Sequence, residues 1–320
     1  MKIKPIYLLL NLLFITSLLV AGCVSAPAAP LAQPTPAEPT QLTTITLTDG
    51  LGRTITLESP PQRIVSLAPS NTEILFAIGA GQQMVGRDEF SNYPEEALAL
   101  PSVGGSWGDY NAEAIVALNP DLVLAAEINP PELVESLEKL GLTVYLLPNP
   151  TDMDGIYQIM QTAAQLSGHE SETNALVESL KVRADAITSK TASLTDRPSV
   201  FYELDSTEPN APYTAGAGTF VELLIEMAGG TNVGSAMDSP WAQISLEQLV
   251  VMDPEIILLG DSAYGATPES VAARPGWESI SAVKNGRVYP FNDDLASRPG
   301  PRMVDGLEAM ARLIQPEVFK

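Results

Sequence analysis

The chain has 320 residues, and its 17 Lys and Arg against 39 Asp and Glu leave a net charge of −22. This charge argues against nucleic acid as a partner and against electrostatic docking onto anionic lipid. Hydrophobic residues make up 45% of the chain, enough for a large core, and the length suggests roughly two domains. With one Cys and one His, the sequence excludes both a disulfide framework and a metal site rich in these residues.

Residues 1–22 have the pattern of a secretory signal. Lys2 and Lys4 precede an apolar run, residues 6–20, that is short for a membrane-spanning helix. The run ends in VAGC, residues 20–23, which resembles a bacterial lipobox. We predict that Cys23 is lipidated and becomes the first mature residue, with a mature charge of 15 − 39 = −24. The alternative is an ordinary cleavable signal with an incidental Cys.

Residues 23–44 are predicted to be a spacer. Five Pro, interspersed with Ala and Thr, favour an extended and semi-rigid chain that buries little surface. Such a spacer after a lipidated Cys would hold the folded part beside a membrane without entering it.

From residue 45 to 150, strands and helices are predicted to alternate, which is typical of a parallel α/β sheet. Strands are expected at residues 63–67, 121–125 and 143–147. Ser70 and Glu73 match a capping box at the start of one helix, and a second helix is expected at residues 132–140.

Residues 151–195 are predicted to be a helical connection with a break at Gly168. A helix over residues 170–193 would be about 36 Å long, enough to link two lobes. In residues 196–320 the alternation of strands and helices returns. The predicted fold class is therefore α/β, with two Rossmann-like lobes bridged by a long rigid α-helix and a ligand cleft between them.

An internal repeat relates the two lobes. Residues 107–125 (WGDYNAEAIVALNPDLVLA) align without a gap with residues 241–259 (WAQISLEQLVVMDPEIILL), at an offset of 241 − 107 = 134. Both copies predict a Trp-bearing loop, a short helix, a Pro stop and a buried strand. The two lobes should therefore present a Trp and a Glu in the same local geometry.

Glu113 and Glu247 are the repeated acids, each in the first turn of its helix and each preceded by a capping-type residue, Asn111 or Ser245. One interpretation is local, since a carboxylate there interacts favourably with the helix dipole by about 0.3–1 kcal/mol. The other is that each lobe presents one exposed acid to basic residues of a partner. The sequence leaves both interpretations open.

Trp107 and Trp241 stand six residues before these acids. Most Trp are half-buried packing residues, but these two lie in loops and could clamp a large flat ligand across a cleft. Phe90, Tyr93 and Tyr110 occupy turn-like positions and are further candidates for the cleft or for the core.

Asp294 and Arg298 lie in a loop between the last predicted strand and the last helix, where α/β proteins often bind ligands. The pair could hydrogen-bond polar ligand edges or form a surface ion pair of about 0–1 kcal/mol. The segment GGSWG (104–108) has the GxSxG spacing, but GxxxxGK[ST] and HExxH are absent from the sequence, and its one His cannot serve both a catalytic triad and a metal site. This argues against an enzyme and predicts neither a cofactor nor a metal.

From Arg63 to Lys320 the chain resembles the periplasmic binding proteins for cobalamin and iron–siderophore complexes, which serve ABC importers. The matching segments are RIVSLAPSNTE (63–73), YP (93–94), VGG (103–105), Glu113 with PDLV (120–123), AGG (228–230), PW (240–241), Glu247, RPGW (274–277) and RPGPR (298–302).

The resemblance implies that Glu113 and Glu247 form salt bridges with Arg of the permease, and that the ligand lies between the lobes. It is closest to cobalamin binders, in which Trp107, Trp241, Asp294 and Arg298 would contact the ligand. The expected partners are the permease and a small metal chelate, with the membrane reached only through the lipid anchor of a monomeric, extracytoplasmic protein.

Three alternatives remain at this point. Phe90 departs from the cobalamin pattern, which favours Tyr, so a ferric hydroxamate siderophore or haem could be the ligand on the same scaffold. From a different class, an extracytoplasmic hydrolase could use acids such as Asp109 and Glu113, although the GxSxG spacing at residues 104–108 is the one match to a hydrolase motif.

Overall fold

A computed structural model describes residues 44–105 and 109–320. The predicted signal, Cys23, nearly all of the spacer and Trp107 lie outside the described residues.

The N-terminal lobe contains a hairpin and a four-stranded parallel sheet. The hairpin pairs β1 (Ile45–Thr48) antiparallel with β2 (Thr54–Leu57). The sheet has the order β4-β3-β5-β6 and comprises β3 (Ile64–Ser66), β4 (Met84–Gly86), β5 (Leu122–Ala126) and β6 (Val144–Leu147). Its helices are α1 (Pro69–Ala77), α2 (Ala112–Ala117) and α3 (Pro131–Lys139).

Two helices connect the lobes. Helix α4 (Met153–Ser167) ends at Gly168, whose φ of +81° is the left-handed conformation that Gly adopts readily. Helix α5 (Glu170–Thr191) follows, and its 22 residues span about 33 Å. One apolar core runs through residues of the N-terminal sheet, both connecting helices and the C-terminal sheet. The lobes therefore share a core and are not separately packed.

The C-terminal lobe contains a mixed sheet in the order β10-β8-β7-β11-β12, with β9 also paired to β7. Its strands are β7 (Ser199–Asp205), β8 (Tyr213–Ala215), β9 (Thr231–Asn232), β10 (Trp241–Gln243), β11 (Ile256–Leu259) and β12 (Val288–Pro290). Its helices are α6 (Phe220–Met227), α7 (Leu246–Met252), α8 (Pro268–Ala272), α9 (Ser281–Lys284), α10 (Asp294–Ser297) and α11 (Met303–Ile314). The predicted two-lobed α/β class is confirmed.

In the described part of the internal repeat, from residue 112 in the N-terminal lobe and residue 246 in the C-terminal lobe, the helix, the turn and the strand correspond. Leu122 of β5 pairs with Ile64 of β3, and Ile256 of β11, 134 residues later, pairs with Val200 of β7. The turns before these strands also correspond, since Asn119 (φ +46°) and Asp253 (φ +44°) are the two non-glycine residues with positive φ in the described chain. Each lobe therefore contains the same helix–turn–strand unit.

The predicted capping box at Ser70 and Glu73 is wrong. Helix α1 begins one residue earlier, at Pro69, and its N-cap Ala68 makes no side-chain cap hydrogen bond. Pro at the first helical position supplies the required φ and has no N–H to satisfy. The carboxylate of Glu73 is therefore available for other partners.

Candidate functional site

A cavity of about 600 Å³ lies between the lobes. The N-terminal lobe lines it with the segments that follow β3, β5 and β6, so the carboxyl ends of three parallel strands face it, as is common for ligand sites in α/β sheets. Its lining residues are Ala68, Pro69, Ser70, Asn71, Phe90, Ala126, Glu127, Ile128, Leu147, Pro148, Asn149 and Ile159 from the N-terminal half, and Phe220, Trp241, Asp294, Ser297, Arg298 and Pro299 from the C-terminal half.

Each lobe places one half-exposed aromatic ring in this cavity. Phe90 is 49% exposed and Trp241 is 53% exposed, which leaves large apolar surfaces open to a ligand. The prediction that Trp241 lies in a loop is wrong, because the residue begins β10, the edge strand of the C-terminal sheet, where it pairs with Ala215. The structure thus brings together two of the predicted cleft aromatics.

Arg298 also lines the cavity and forms the predicted ion pair with Asp294, at 2.7 Å. It makes further contacts across the cleft, which the sequence did not indicate. Its Nη1 donates to Glu73 Oε1 at 3.0 Å and to Asn92 Oδ1 at 2.8 Å, so it ties α10 to the N-terminal lobe.

Glu73 is the centre of this inter-lobe contact, and sequence reasoning missed its role. The carboxylate is buried and accepts from Arg302 Nε at 2.7 Å and from Arg302 Nη2 at 2.5 Å, in addition to Arg298. We call Glu73, Asp294, Arg298 and Arg302 the inter-lobe charge cluster. Its two carboxylates and two guanidinium groups balance, which is the condition for burying charge at tolerable cost.

Tyr93 lies against this cluster. The guanidinium carbon of Arg302 is 4.0 Å from the centroid of its ring, a cation–π contact, and the Tyr93 side chain is half-exposed. Tyr93 therefore packs against Arg302, which links the two lobes through Glu73.

Tyr110 makes its polar contacts within the N-terminal lobe. Its hydroxyl donates to the Leu67 carbonyl at 2.7 Å and accepts from Asn129 Nδ2 at 2.8 Å. Burial raises the pKa of Tyr110 to about 12. The Tyr110 side chain thereby fixes the backbone at Leu67, between β3 and α1. The cavity residues 68–71 follow directly.

Each lobe has a further acid with a raised pKa, and Asp88 is buried whereas Asp293 is partly buried. Burial raises the pKa of Asp88, against the opposing effect of hydrogen bonds from Ser91 and from the Phe90 N–H. Burial likewise raises the pKa of Asp293, which accepts from the Tyr202 hydroxyl at 2.8 Å.

Glu113 and Glu247 are exposed, and neither forms an ion pair within the described part of the chain. Their helices are capped as the sequence suggests. Asn111 accepts from the Ala114 N–H at 3.0 Å, and Ser245 forms a full capping box. Each lobe therefore presents one accessible carboxylate at an equivalent position.

Neither a membrane span nor a metal-binding cluster is found among the described residues. Across residues 44–105 and 109–320, no helix combines the length and the apolar character needed to cross a membrane. The same residues contain no group of three His, Cys, Asp or Glu side chains placed to hold a metal ion.

Comparison with known proteins agrees with this geometry. Residues 64–295 match the family described as "Periplasmic binding protein". An ABC transporter substrate-binding lipoprotein of Bacillus subtilis, YvrC, is 32% identical over 313 residues, 96% of each chain. The vitamin B12-binding protein BtuF of Vibrio cholerae has a crystal structure with a TM-score of 0.69, 30% identity, and coverage of 80% of this chain and 98% of its own. The periplasmic haem-binding protein RhuT of Roseiflexus sp. RS-1 gives a TM-score of 0.72 at 27% identity, covering 80% and 99% of the two chains.

These matches, with the two lobes and the cleft between them, define a substrate-binding protein of the ABC-importer type. The chain belongs to the periplasmic binding protein family, and the resemblance predicted from its sequence is confirmed.

Proposed function

We propose that the protein is a substrate-binding lipoprotein of an ABC importer that captures a cobalamin-type corrinoid in the inter-lobe cavity and delivers it without chemistry. The observation that carries this proposal is the character of the cavity. An aromatic ring from each lobe and several apolar side chains offer surface to a large flat ligand, while polar groups are few.

The charges of the cavity favour a ligand with neutral polar edges. Among the described lining residues, Arg298 is the one cation, and Glu127 and Asp294 are acids, so the lining charge is 1 − 2 = −1. The guanidinium of Arg298 is engaged by Glu73 and Asp294. Haem propionates or a catecholate chelate would bring further negative charge without a free cation to meet it, whereas the amide groups of a corrinoid would not.

The relatives support the same class of ligand. BtuF, at 30% identity, is a vitamin B12-binding protein. RhuT, a haem-binding protein of the same fold, argues for a second candidate class of metal chelates. Within that class the cavity charge favours an uncharged ferric hydroxamate over haem.

Isothermal titration of the purified protein with cyanocobalamin, ferrichrome and haem tests the ligand. We expect saturable binding of cyanocobalamin, weakened by about tenfold or more in Trp241→Ala and in Trp107→Ala because a stacking surface is lost. Tyr264→Ala is the matched control, since this exposed aromatic does not belong to the cavity lining. Binding of ferrichrome or haem with no heat from cyanocobalamin would contradict the corrinoid assignment.

We further propose that Glu113 and Glu247 dock the protein onto Arg residues of the permease. Their exposure, their equivalent positions and their lack of ion pairs within the described chain support this role. The double variant Glu113→Gln with Glu247→Gln should keep its ligand affinity and lose its stimulation of transporter ATPase activity. Unchanged stimulation would refute docking, and Glu135→Gln, an exposed acid on α3, is the control.

Lipidation of Cys23 completes the proposal, supported by the lipobox-like sequence and by the lipoprotein relative. Mass spectrometry of the mature N-terminal peptide should show an acylated Cys23. In Cys23→Ser the protein should be released from membranes. A mature N-terminus at another residue would favour an ordinary cleavable signal.

A further inference from the structure

Phe90, the N-terminal aromatic ring of the inter-lobe cavity, belongs to a turn whose backbone is held from both lobes. Its N–H donates to Asp88 Oδ1 at 2.9 Å, within the N-terminal lobe. Its carbonyl accepts from Arg298 Nη2 of the C-terminal lobe at 3.4 Å. The ring is half-exposed and lines the cavity, so the groups that fix this turn also fix the surface that a ligand meets.

Asp88 also begins a chain of hydrogen bonds through the interior of the N-terminal lobe. Its Oδ2 contacts Ser91 Oγ. Ser91 Oγ contacts Thr72 Oγ1 at 2.7 Å, and Thr72 Oγ1 donates to Ser66 Oγ at 2.9 Å. Ser66 Oγ donates to the Ala68 carbonyl at 3.0 Å. The four side chains are each at most 1% exposed, and the chain ties the turn to β3 and to α1.

This chain needs one more proton than its hydroxyl groups carry. It has four oxygen–oxygen contacts, and each hydrogen bond requires one proton. The Ala68 carbonyl can only accept, and the three hydroxyl groups supply one proton each. If Asp88 were ionised, Ser91 would donate to it, and the contact between Ser91 and Thr72 would hold no proton. A protonated Asp88 donates to Ser91 and completes all four hydrogen bonds in one direction.

The surroundings of Asp88 also favour its neutral form. The charges of Arg87 and Arg298 reach Asp88, but neither residue forms an ion pair with its carboxyl group within the described chain. Arg87 donates to main-chain carbonyls, that of Asp88 at 2.9 Å among them. Arg298 pairs with Glu73 and Asp294. A buried carboxylate without an ion pair is costly, because it loses its hydration without compensation.

We propose that Asp88 is a positioning residue that holds the Phe90 ring in the cavity through a neutral, proton-donating carboxyl group. The carboxyl group donates to Ser91 and accepts from the Phe90 N–H, so one side chain ties the turn to β3 and α1. Loss of its proton leaves one link of the chain without a hydrogen bond and loosens the turn, which makes the ring a less pre-organised surface for a ligand. The proposal rests on ligand binding in the inter-lobe cavity and assigns no ligand contact to Asp88.

NMR of the ligand-free protein tests the carboxyl group independently of any ligand. With isotope-labelled Asp, the Asp88 carboxyl carbon should titrate above the ordinary value of 3.8, and the Phe90 amide signal should shift with the same midpoint. Tyr110, whose titration Asp88 also influences, has a pKa raised to about 12 and stays neutral in this range. A carboxyl group that titrates at or below 3.8, or a Phe90 amide that does not follow it, would overturn the proposal.

Isothermal titration with cyanocobalamin on either side of that midpoint tests the effect on the cavity. Affinity should fall by about tenfold as the pH rises through the midpoint, since the positioning is present below the raised pKa and is lost above it. Asp88→Asn should keep the acid-side affinity to within about twofold at both pH values, because its amide donates to Ser91 and accepts from the Phe90 N–H as the protonated carboxyl group does. Asp88→Ala should bind about tenfold more weakly at both. If cyanocobalamin does not bind at all, the ligand assignment fails, and the NMR titration still decides the role of Asp88.

Two further variants show whether Asp88 acts through Phe90. In a Phe90→Ala background, Asp88→Ala should cause no further loss of affinity. Ser91→Ala, which cuts the chain at its first link, should weaken binding about threefold and remains informative if Asp88→Ala does not fold. Ser136→Ala, which removes an exposed hydroxyl on α3, is the control and should leave binding unchanged. Equal losses in Asp88→Asn and Asp88→Ala, or additive losses in the double variant, would overturn the proposal.

Discussion

The N-terminal lobe meets the cleft with the carboxyl ends of its parallel strands, whereas the C-terminal lobe meets it with an edge strand and with the segment between β12 and α11. Both lobes nevertheless contain the same helix–turn–strand unit, with Asn119 and Asp253 in the same left-handed conformation. That unit supplies core strands and an exposed Glu in each lobe. Of the residues that give the cleft its character, Trp241 begins the repeated segment, whereas Phe90 and Arg298 come from segments outside it.

The difference between the lobes shows which segments build the scaffold and which join the lobes. The repeat supplies the symmetric scaffold and Trp241, and the unrepeated segments join the lobes and add Phe90 and Arg298 to the cleft. The inter-lobe charge cluster belongs entirely to the second group, since Glu73 lies on α1 and its two Arg partners flank the turn between α10 and α11. Substitutions in the two kinds of segment should therefore have different effects.

The largest effect is expected for Glu73→Ala. Removing this carboxylate leaves Arg298 and Arg302, whose side chains are each 12% exposed, without their shared partner. Breaking a buried ion pair from one side costs about 3–5 kcal/mol. Urea unfolding should show that loss in the free energy of unfolding.

Glu135→Ala is the matched control for this experiment. Glu135 pairs with Lys139 on α3, where both side chains are exposed, and such a pair contributes about 0–1 kcal/mol. Equal losses in the two variants would show that the inter-lobe charge cluster is no more important than a surface pair.

The next effect concerns the pH dependence of stability, where both lobes should behave alike. The pKa values of Asp88 and Asp293 are raised above the ordinary value of 3.8, so the folded protein binds their protons more tightly than the unfolded chain does. Their contribution to the free energy of unfolding is complete below 3.8 and is lost as the pH rises through the folded pKa. Asp88→Asn and Asp293→Asn should each reduce this downward slope, measured by urea unfolding at a series of pH values.

A contrast comes from Glu308, whose pKa is lowered by the hydrogen bond and charge of Arg183. Its contribution is present above the ordinary carboxyl pKa and is lost as the pH falls through the lowered value. Glu308→Gln should therefore make the acid-side loss of stability smaller. If Asp88→Asn also made the acid-side loss of stability smaller, burial would not be the dominant influence on the pKa of Asp88.

A smaller effect is expected for Tyr110→Phe. The change removes a hydroxyl that donates to Leu67 and accepts from Asn129, and a net hydrogen bond contributes about 0.5–1.5 kcal/mol. Chemical unfolding should show a loss of about 1 kcal/mol, with cyanocobalamin affinity unchanged. Tyr93→Phe is the control, since the contact of Tyr93 with Arg302 is made by its ring. A loss of affinity in Tyr110→Phe would instead give the hydroxyl a ligand role.

The smallest effects are expected for Glu113→Gln and Glu247→Gln taken singly. Each carboxylate lies in the first turn of a short helix, so its loss removes at most about 1 kcal/mol of helix-dipole stabilisation. The two variants should be equal in thermal stability, because the repeat gives them the same surroundings. A large loss in one lobe would reveal a contact that breaks the equivalence of the lobes.

The sequence alone determined the features that depend on neighbouring residues. The alternation of strands and helices, the break at Gly168, the caps at Asn111 and Ser245 and the equivalence of the repeats follow from periodicity and from residues within about four positions of one another. Asp294 and Arg298 belong to this group only for their spacing, since the sequence predicted a loop there and the short helix α10 is what brings the i,i+4 side chains together.

Only the tertiary structure decided which groups meet across the lobes. Glu73 lies 225 and 229 residues from its two Arg partners, and its local sequence suggested a helix cap instead. The tertiary fold likewise directed the hydroxyl of Tyr110 to Leu67 and left Asp261 Oδ1 without a hydrogen-bond partner among the described residues. Such contacts depend on how the shared core packs the two sheets around α4 and α5, and no local propensity encodes that packing.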